Sequence, residues 1–342
     1  MFSLVPALLL AQSTTPISVG MTEVAGKFNQ TYRIGTSRKL DVTLLHAAFS
    51  GSPFAEGKRW HYPKKQGKFV VFRFRLSNPN SNDWVMSNST YHGFKATIID
   101  SESATTSSLE KYAVKTGASL TPLTLKPKQS VEVWSIMEVA ATNDVPTLLV
   151  SPGDGGKGAD VKYDLRGKIG ALPKWSQRSQ PYEMAENVVA ENMTLYPIGK
   201  TLFSVAGHQI VPESQLSKQR TFINVINKGH QFVVVHCAIR GTGESLGGAQ
   251  MWRPKIRLGV QGGQQYQPLE WLRTTFYEPL NEIPAVDRFA KTTLVFLTPP
   301  GAVPYELTVE DSIFGRNFLF EVPNLPDGPT SINPKRAEML GP

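Results

Sequence analysis

Residues 67–76, GKFVVFRFRL, place Val70, Phe72, Phe74 and Leu76 on alternate positions, with Arg73 and Arg75 between them. That period of two is a strand with one face in a core and the other outside it. Asn78-Pro79-Asn80 ends the run, because proline cannot donate a ladder hydrogen bond. The pattern returns at residues 229–239, GHQFVVVHCAI. There Val233, Val235, Cys237 and Ile239 take the inward positions (233 − 70 = 163), so Cys237 stands where Phe74 stood. His236 and Ala238 replace the two outward arginines.

Other pairs keep the same order along the chain. Tyr32-Arg33-Ile34-Gly35 matches Tyr196-Pro197-Ile198-Gly199 (196 − 32 = 164), Val131–Val133 matches Thr292–Leu294 (161), Leu148–Val150 matches Leu307–Val309 (159), and Leu172-Pro173 matches Leu325-Pro326 (153). The shrinking offset describes two copies of one unit, the second with shorter loops. A chain of 342 residues exceeds the size at which a single core keeps growing. With 28 Gly and 25 Pro, the composition favours short strands and turns over long helices. We expect an all-β protein of two tandem β-sandwiches, since two half-apolar sheets can bury each other's inner faces.

The first sandwich is expected over residues 26–173, with strands near 40–44, 67–76, 94–99, 120–125, 131–137, 147–150 and 161–169. Residues 50–63 have loop composition. Trp134 and Ile136 compete with Val131 and Val133 for the inward face of their strand. Residues 174–192 read as a linker carrying a short helix after Pro181, with Tyr182, Ala185 and Val189 near one face, and such a linker would let the halves move independently. The second sandwich is expected over 193–326, with strands near 201–205, 222–226, 232–239, 255–260, 292–297 and 307–309, and residues 327–342 as a loose tail.

The Tyr-x-Ile-Gly motif at residues 32–35, the GKFVVFRFRLSN run and the LTLKPKQSVEVW stretch leading to a Pro-x-x-Leu-x-Val end resemble the telokin-like, immunoglobulin-like domain of bacterial exported proteins and lipoproteins. The resemblance covers residues 26–173, and less strongly 193–326. It implies immunoglobulin-like sandwiches and transfers no catalytic residue, because that family's function is largely unknown. Residues 4–11, LVPALLLA, followed by polar Gln12–Thr15, agree with this by resembling the apolar core and cleavage zone of a secretory signal over residues 1–12, with 13–25 a polar lead-in. We expect an exported, soluble, periplasmic or extracellular protein, since no later stretch approaches the ~20 apolar residues of a membrane span.

No motif assigns chemistry. Gly153–Gly158 matches G-x-G-x-x-G, but no amphipathic helix follows and a flexible turn is the better reading. Asp154 and Asp160 fall short of a calcium shell. His46, His61, His92, His208, His230 and His236 have no metal-ligand spacing, and no G-x-S-x-G elbow is present. The single cysteine, Cys237, cannot form an internal disulfide and reads as a buried thiol. Trp84, Trp175, Trp252 and Trp271 lie in or near expected loops, where a glycan platform competes with buried packing. No metal and no cofactor are expected, and the chain is read as no enzyme.

The most suggestive feature is basic. Between Gly57 and Asn82 there is no Asp or Glu, whereas Lys58, Arg59, Lys64, Lys65, Lys68, Arg73 and Arg75 are all cationic and Trp60, His61 and Tyr62 interrupt them. Such a patch can hold a polyanion or glycan, with Trp60 and Tyr62 stacking on rings. The competing reading is a solvated loop and strand face. A net charge of +8 is moderate and nucleic-acid signatures are missing, so nucleic acid is disfavoured. The expected function is a non-catalytic interaction or structural module of the cell envelope, whose partner is an envelope protein or glycan. Its first alternative is anion or glycan binding through Lys58, Arg59, Trp60, Tyr62, Lys64, Lys65, Lys68, Arg73 and Arg75, and a loop-built hydrolase comes last.

Overall fold

The computed structural model describes residues 16–18, 22–36, 38–56, 59–86, 94–107, 110–113, 123–153, 158–212, 216, 230–242, 246–247, 254–273, 278–280, 282–283, 289–329 and 331–337. The first half contributes β1 (Ile17–Ser18), β2 (Val24–Gly26), β3 (Thr31–Ile34), β4 (Leu40–Ser50), β5 (Phe54–Glu56), β6 (Arg59–His61), β7 (Gly67–Ser77), β8 (Trp84–Met86), β9 (Phe94–Ile99), β10 (Thr105–Ser107), β11 (Glu110–Ala113), β12 (Leu123–Leu125), β13 (Ser130–Ala140), β14 (Thr147–Pro152) and β15 (Val161–Asp164). The second contributes β16 (Asn187–Ala190), β17 (Thr194–Ile198), β18 (Thr201–Val211), β19 (Gln231–Gly241), β20 (Leu246–Gly247), β21 (Lys255–Val260), β22 (Gln265–Tyr266), β23 (Glu270–Arg273), β24 (Glu278–Pro279), β25 (Glu282–Ile283), β26 (Ala290–Thr298), β27 (Pro304–Asp311), β28 (Arg316–Glu321) and β29 (Lys335–Arg336).

The chain is all-β, and its halves repeat one strand order. One sheet runs β1-β3-β4-β7-β13-β11, and its counterpart runs β29-β17-β18-β19-β26-β23-β24. The facing sheets run β10-β9-β14-β15-β2 and β22-β21-β27-β28-β16. Both end in a parallel pair, β15 with β2 and β28 with β16. Even the irregularities correspond, with a bulge at Leu44/His46 in β4 and at Val205/Gly207 in β18. Such bulges bend and twist a strand, and here each falls in a long strand of its sheet.

Each half has its own core. Val70, Phe72, Phe74 and Leu76 of β7 bury against Phe94, Ile98, Leu148, Val150, Val161 and Tyr163 of the facing sheet. Phe74 and Phe94 meet edge to face across it, with ring centroids 5.2 Å apart. In the second half Val233, Val235, Cys237 and Ile239 do the same against Leu258, Leu307, Val309, Phe318 and Phe320. The back of β7 divides in two. Phe69 and Val71 lie beneath Phe54 together with Ile136 and Trp134, whereas Arg73 and Arg75 stay at the surface. Val133 joins the main core, so β13 is buried on both faces and the competition between its residues has no loser.

Several expectations are corrected. Residues 50–63 are not all loop, since β5 and β6 form a hairpin there. The linker helix after Pro181 is absent: Asn187–Ala190 is a strand whose Val188 and Ala190 enter the second core. Among the described residues, the helical turn in this region is a single 3-10 turn at Lys174–Ser176. The tail is held through Lys335–Arg336, which pairs with β17, and through buried Ile332 and Ala337. The strand expected over 161–169 stops at Asp164. Strand candidate 222–226 lies outside the described residues. No helix among the described residues is long and apolar enough to cross a membrane.

Candidate functional site

The described residues of the expected basic patch divide between the surface, the core and the junction of the halves. Lys58 lies outside the described residues, and Arg59 and Trp60 fall in β6, where the backbone course is what the structure describes. Lys68 is fully buried. It shares the parity of Val70 and Phe72, and that alternation was the signal that it points inward. Its ammonium donates to the carbonyls of Ala141 (3.0 Å), Asn143 (2.6 Å) and Tyr182, and lies over the Phe49 ring at 4.6 Å. Burial lowers its pKa to about 7, against the pull of Asp144 and Glu183. Arg73 and Arg75 face Glu132 of β13, at 2.7 and 2.8 Å. Residues 57–82 contain no acid, but strand pairing brings Glu132 from 57 residues beyond Arg75.

The rest of the stretch serves the junction between the halves. Tyr62 is half-buried, and its hydroxyl is 3.1 Å from Thr242 Oγ1. Gln66 N–H donates to the Phe314 carbonyl at 3.1 Å. Lys65 lays its aliphatic stem over Gly315, leaving its charge with that of Lys64 at the surface. Of the patch residues whose side chains are described, Lys68 is buried, Arg73 and Arg75 are surface residues paired with Glu132, and Tyr62, Lys64 and Lys65 lie near the seam.

At the centre of that seam is Arg316, 1% exposed, beside Asp311, 0% exposed, with Nε 3.4 Å from Oδ2. Arg316 Nη2 crosses to the Gly51 carbonyl of the first half at 2.8 Å. The guanidinium sits 4.5–5.1 Å from the Phe314, Phe318 and Trp175 rings, a cage in which each cation–π contact offsets some of the cost of desolvation. Asp311 also accepts from the backbone N–H groups of Gly199, Ile313 and Phe314. These contacts run from the second half to Gly51 of the first, beside the 174–192 connector.

The other sequence candidates are structural or lie outside view. Cys237 is fully buried, and burial raises its thiol pKa well above the usual value. Burial lowers His236 to about 4, assisted by His208. Among the described residues no group of three His, Cys, Asp or Glu side chains could hold a metal. Trp84 and Trp271 are buried, Trp175 is part of the cage, and Trp252, His92 and Asp154 lie outside the described residues.

Sequence reasoning missed one feature altogether. A groove of about 760 Å³, open to solvent, lies on the outer side of β27 and β28. Val189, Ile210, Val303 and Tyr305 line it, and they are four of the seven large apolar side chains exposed among the described residues. Val189 is 81% exposed on the edge strand β16. Glu306 and Glu321 face one another across β27 and β28 in the same groove. Buried His208 closes one end, its Nδ1 2.6 Å from the Val322 carbonyl. Four separate segments build the groove, so no local motif could announce it.

The repeat supplies an internal control. Register for register, Leu148–Tyr163–Gly26 overlays Leu307–Phe320–Ala190. The groove positions Val189, Leu319, Glu306 and Glu321 then correspond to Ala25, Lys162, Thr147 and Asp164. In the first half Lys162 is 3.6 Å from Glu23, and Asp164 is 3.7 Å from Arg166. The shared fold does not require an apolar, doubly acidic surface here.

No protein-family model matches the chain, and no curated protein does. Among solved structures it is similar to an uncharacterized β-sandwich protein of Clostridium difficile, at 12% identity and a TM-score of 0.31, over 44% of this chain and 98% of that one. The all-β class therefore rests on the strands and sheets described above.

Proposed function

We propose that this chain is a non-catalytic, exported interaction module of the cell envelope, a tandem immunoglobulin-like protein of the telokin-like kind, which docks another macromolecule through the groove on its second half. The convergence of Val189, Ile210, Val303 and Tyr305 on one open groove carries this reading. Exposed apolar side chains scattered singly need no explanation, whereas a contiguous patch marks a contact surface. A small-molecule site would enclose most of its ligand, and this groove is open with its apolar side chains standing in water. The apolar run at residues 4–11 supports export.

A photo-crosslinking residue placed at position 189 or 305 tests the docking face in cells of the native host. The expected result is one shared adduct from both positions and none from position 85, where exposed Val85 lies outside the groove. Equal labelling from position 85 would remove the groove from the proposal. Turnover of a hydrolase substrate that depends on one residue of the purified chain would end the non-catalytic reading.

A further inference from the structure

We infer that the segment docking in this groove is a peptide of a partner protein that sets an apolar side chain beside a lysine or arginine. The inference rests on the docking reading above and adds the chemistry of the partner. Its basis is the pair Glu306 and Glu321. They are direct cross-strand neighbours, an arrangement in which like charges repel. Among the described residues no cation lies within ion-pair distance of either, although the nearby Glu310 has Lys255 at 3.4 Å. Glu306 accepts one hydrogen bond, from Thr308 Oγ1 at 3.2 Å, which leaves its charge uncompensated.

The first half shows that this charge arrangement is optional. At the matching positions Thr147 faces Asp164, so no acid pair exists, and Asp164 has Arg166 beside it. The second half also replaces Lys162 by Leu319, which removes a cation and adds apolar surface in the same step. Two carboxylates with no ion pair among the described residues thus line an apolar groove, in a chain whose net charge is +8. An incoming cation would relieve their repulsion, and an adjoining apolar side chain would cover Val189 and Tyr305. An anionic lipid surface or a polyanion would meet the wrong sign.

Selection from a random peptide library on the full chain tests this. Enriched peptides should pair Lys or Arg with an apolar residue, lose binding to Val189→Ser, weaken by about tenfold on Glu306→Gln with Glu321→Gln, and weaken as salt rises. Circular dichroism should show both variants folded. If peptides depend on Val189 but carry no basic residue, or bind the double glutamine variant as well as the parent, the partner chemistry is wrong and the docking reading stands. If no enriched peptide depends on Val189, both readings fall.

Discussion

Replacing Arg316 by methionine tests whether the buried ion pair fastens the two halves. The substitution keeps an unbranched side chain within reach of Trp175, Phe314 and Phe318 but removes the charge. Asp311, fully buried, would lose its cation and keep three backbone donors at 3.1–3.2 Å. Breaking a buried pair by removing one partner costs about 3–5 kcal/mol, and those three donors place the loss at the lower end, about 3 kcal/mol. The bond from Nη2 to the Gly51 carbonyl also disappears, and with it a direct tie between the halves. The assay is urea unfolding followed by tryptophan fluorescence and far-ultraviolet circular dichroism. The parent should unfold with coincident transitions, and Arg316→Met should shift and separate them. Burial already raises the Asp311 pKa, and loss of Arg316 should raise it further. An acid whose folded pKa lies above its unfolded value costs stability as pH rises between the two, so the defect should be smaller at pH 4 than at pH 7. Asp311→Asn added to Arg316→Met should recover much of the loss. A penalty below about 1 kcal/mol, or no recovery in the double variant, would refute the reasoning.

Three further outcomes are expected. Gly51→Ala puts a methyl 2.7 Å from Ser176 Oγ, 3.2 Å from Arg316 Nη1 and 3.3 Å from Met184 Sδ, so chemical denaturation should show a loss of about 1–3 kcal/mol; a neutral effect would mean the seam is loose. Lys68 is lowered to about 7 in the folded chain from an ordinary 10.5, so the unfolded state binds more protons between those values and stability should rise with pH across that window; the slope should vanish in Lys68→Met, and an unchanged slope would show that another group causes it. Cys237 should resist a thiol reagent in the native protein and react on unfolding in urea, whereas rapid native labelling would contradict its burial.

What was legible in the sequence was whatever a period of two could encode. Val70–Leu76 and Val233–Ile239 declared both cores, and the match of Leu148–Val150 to Leu307–Val309 located equivalent strands of the facing sheets. The β16 stretch is ambiguous in sequence, because Tyr182, Ala185 and Val189 fit a helical face as well as Val188 and Ala190 fit a strand. Its partner, β28, lies 130 residues away (317 − 187), so the deciding hydrogen bonds are invisible locally. The acid beside Arg73 and Arg75 is hidden for the same reason, since Glu132 meets them only through the pairing of β7 with β13. Parity did mark the two buried cations. Lys68 is in phase with Val70, and Arg316 is in phase with Phe318 and Phe320. The charge of Lys68 points to the surface, whereas its place in the alternation points to the core, and the core holds it.

The duplication separates what the sandwich needs from what this chain adds. Extending the same registers, Gln231 takes the place of Lys68 in the second half, and Ala159 takes the place of Arg316 in the first. Each half therefore closes the same sheets without a charge that the other half buries. Both cations instead reach the connector: Lys68 donates to the Tyr182 carbonyl, and Arg316 lies against Trp175. A buried cation is costly to keep, and these two sit where a single sandwich has no use for them but a pair of sandwiches must be joined. Loss of either should accordingly uncouple the halves before it unfolds them, whereas loss of a core residue such as Phe74, with no exposed surface, should unfold its own half first.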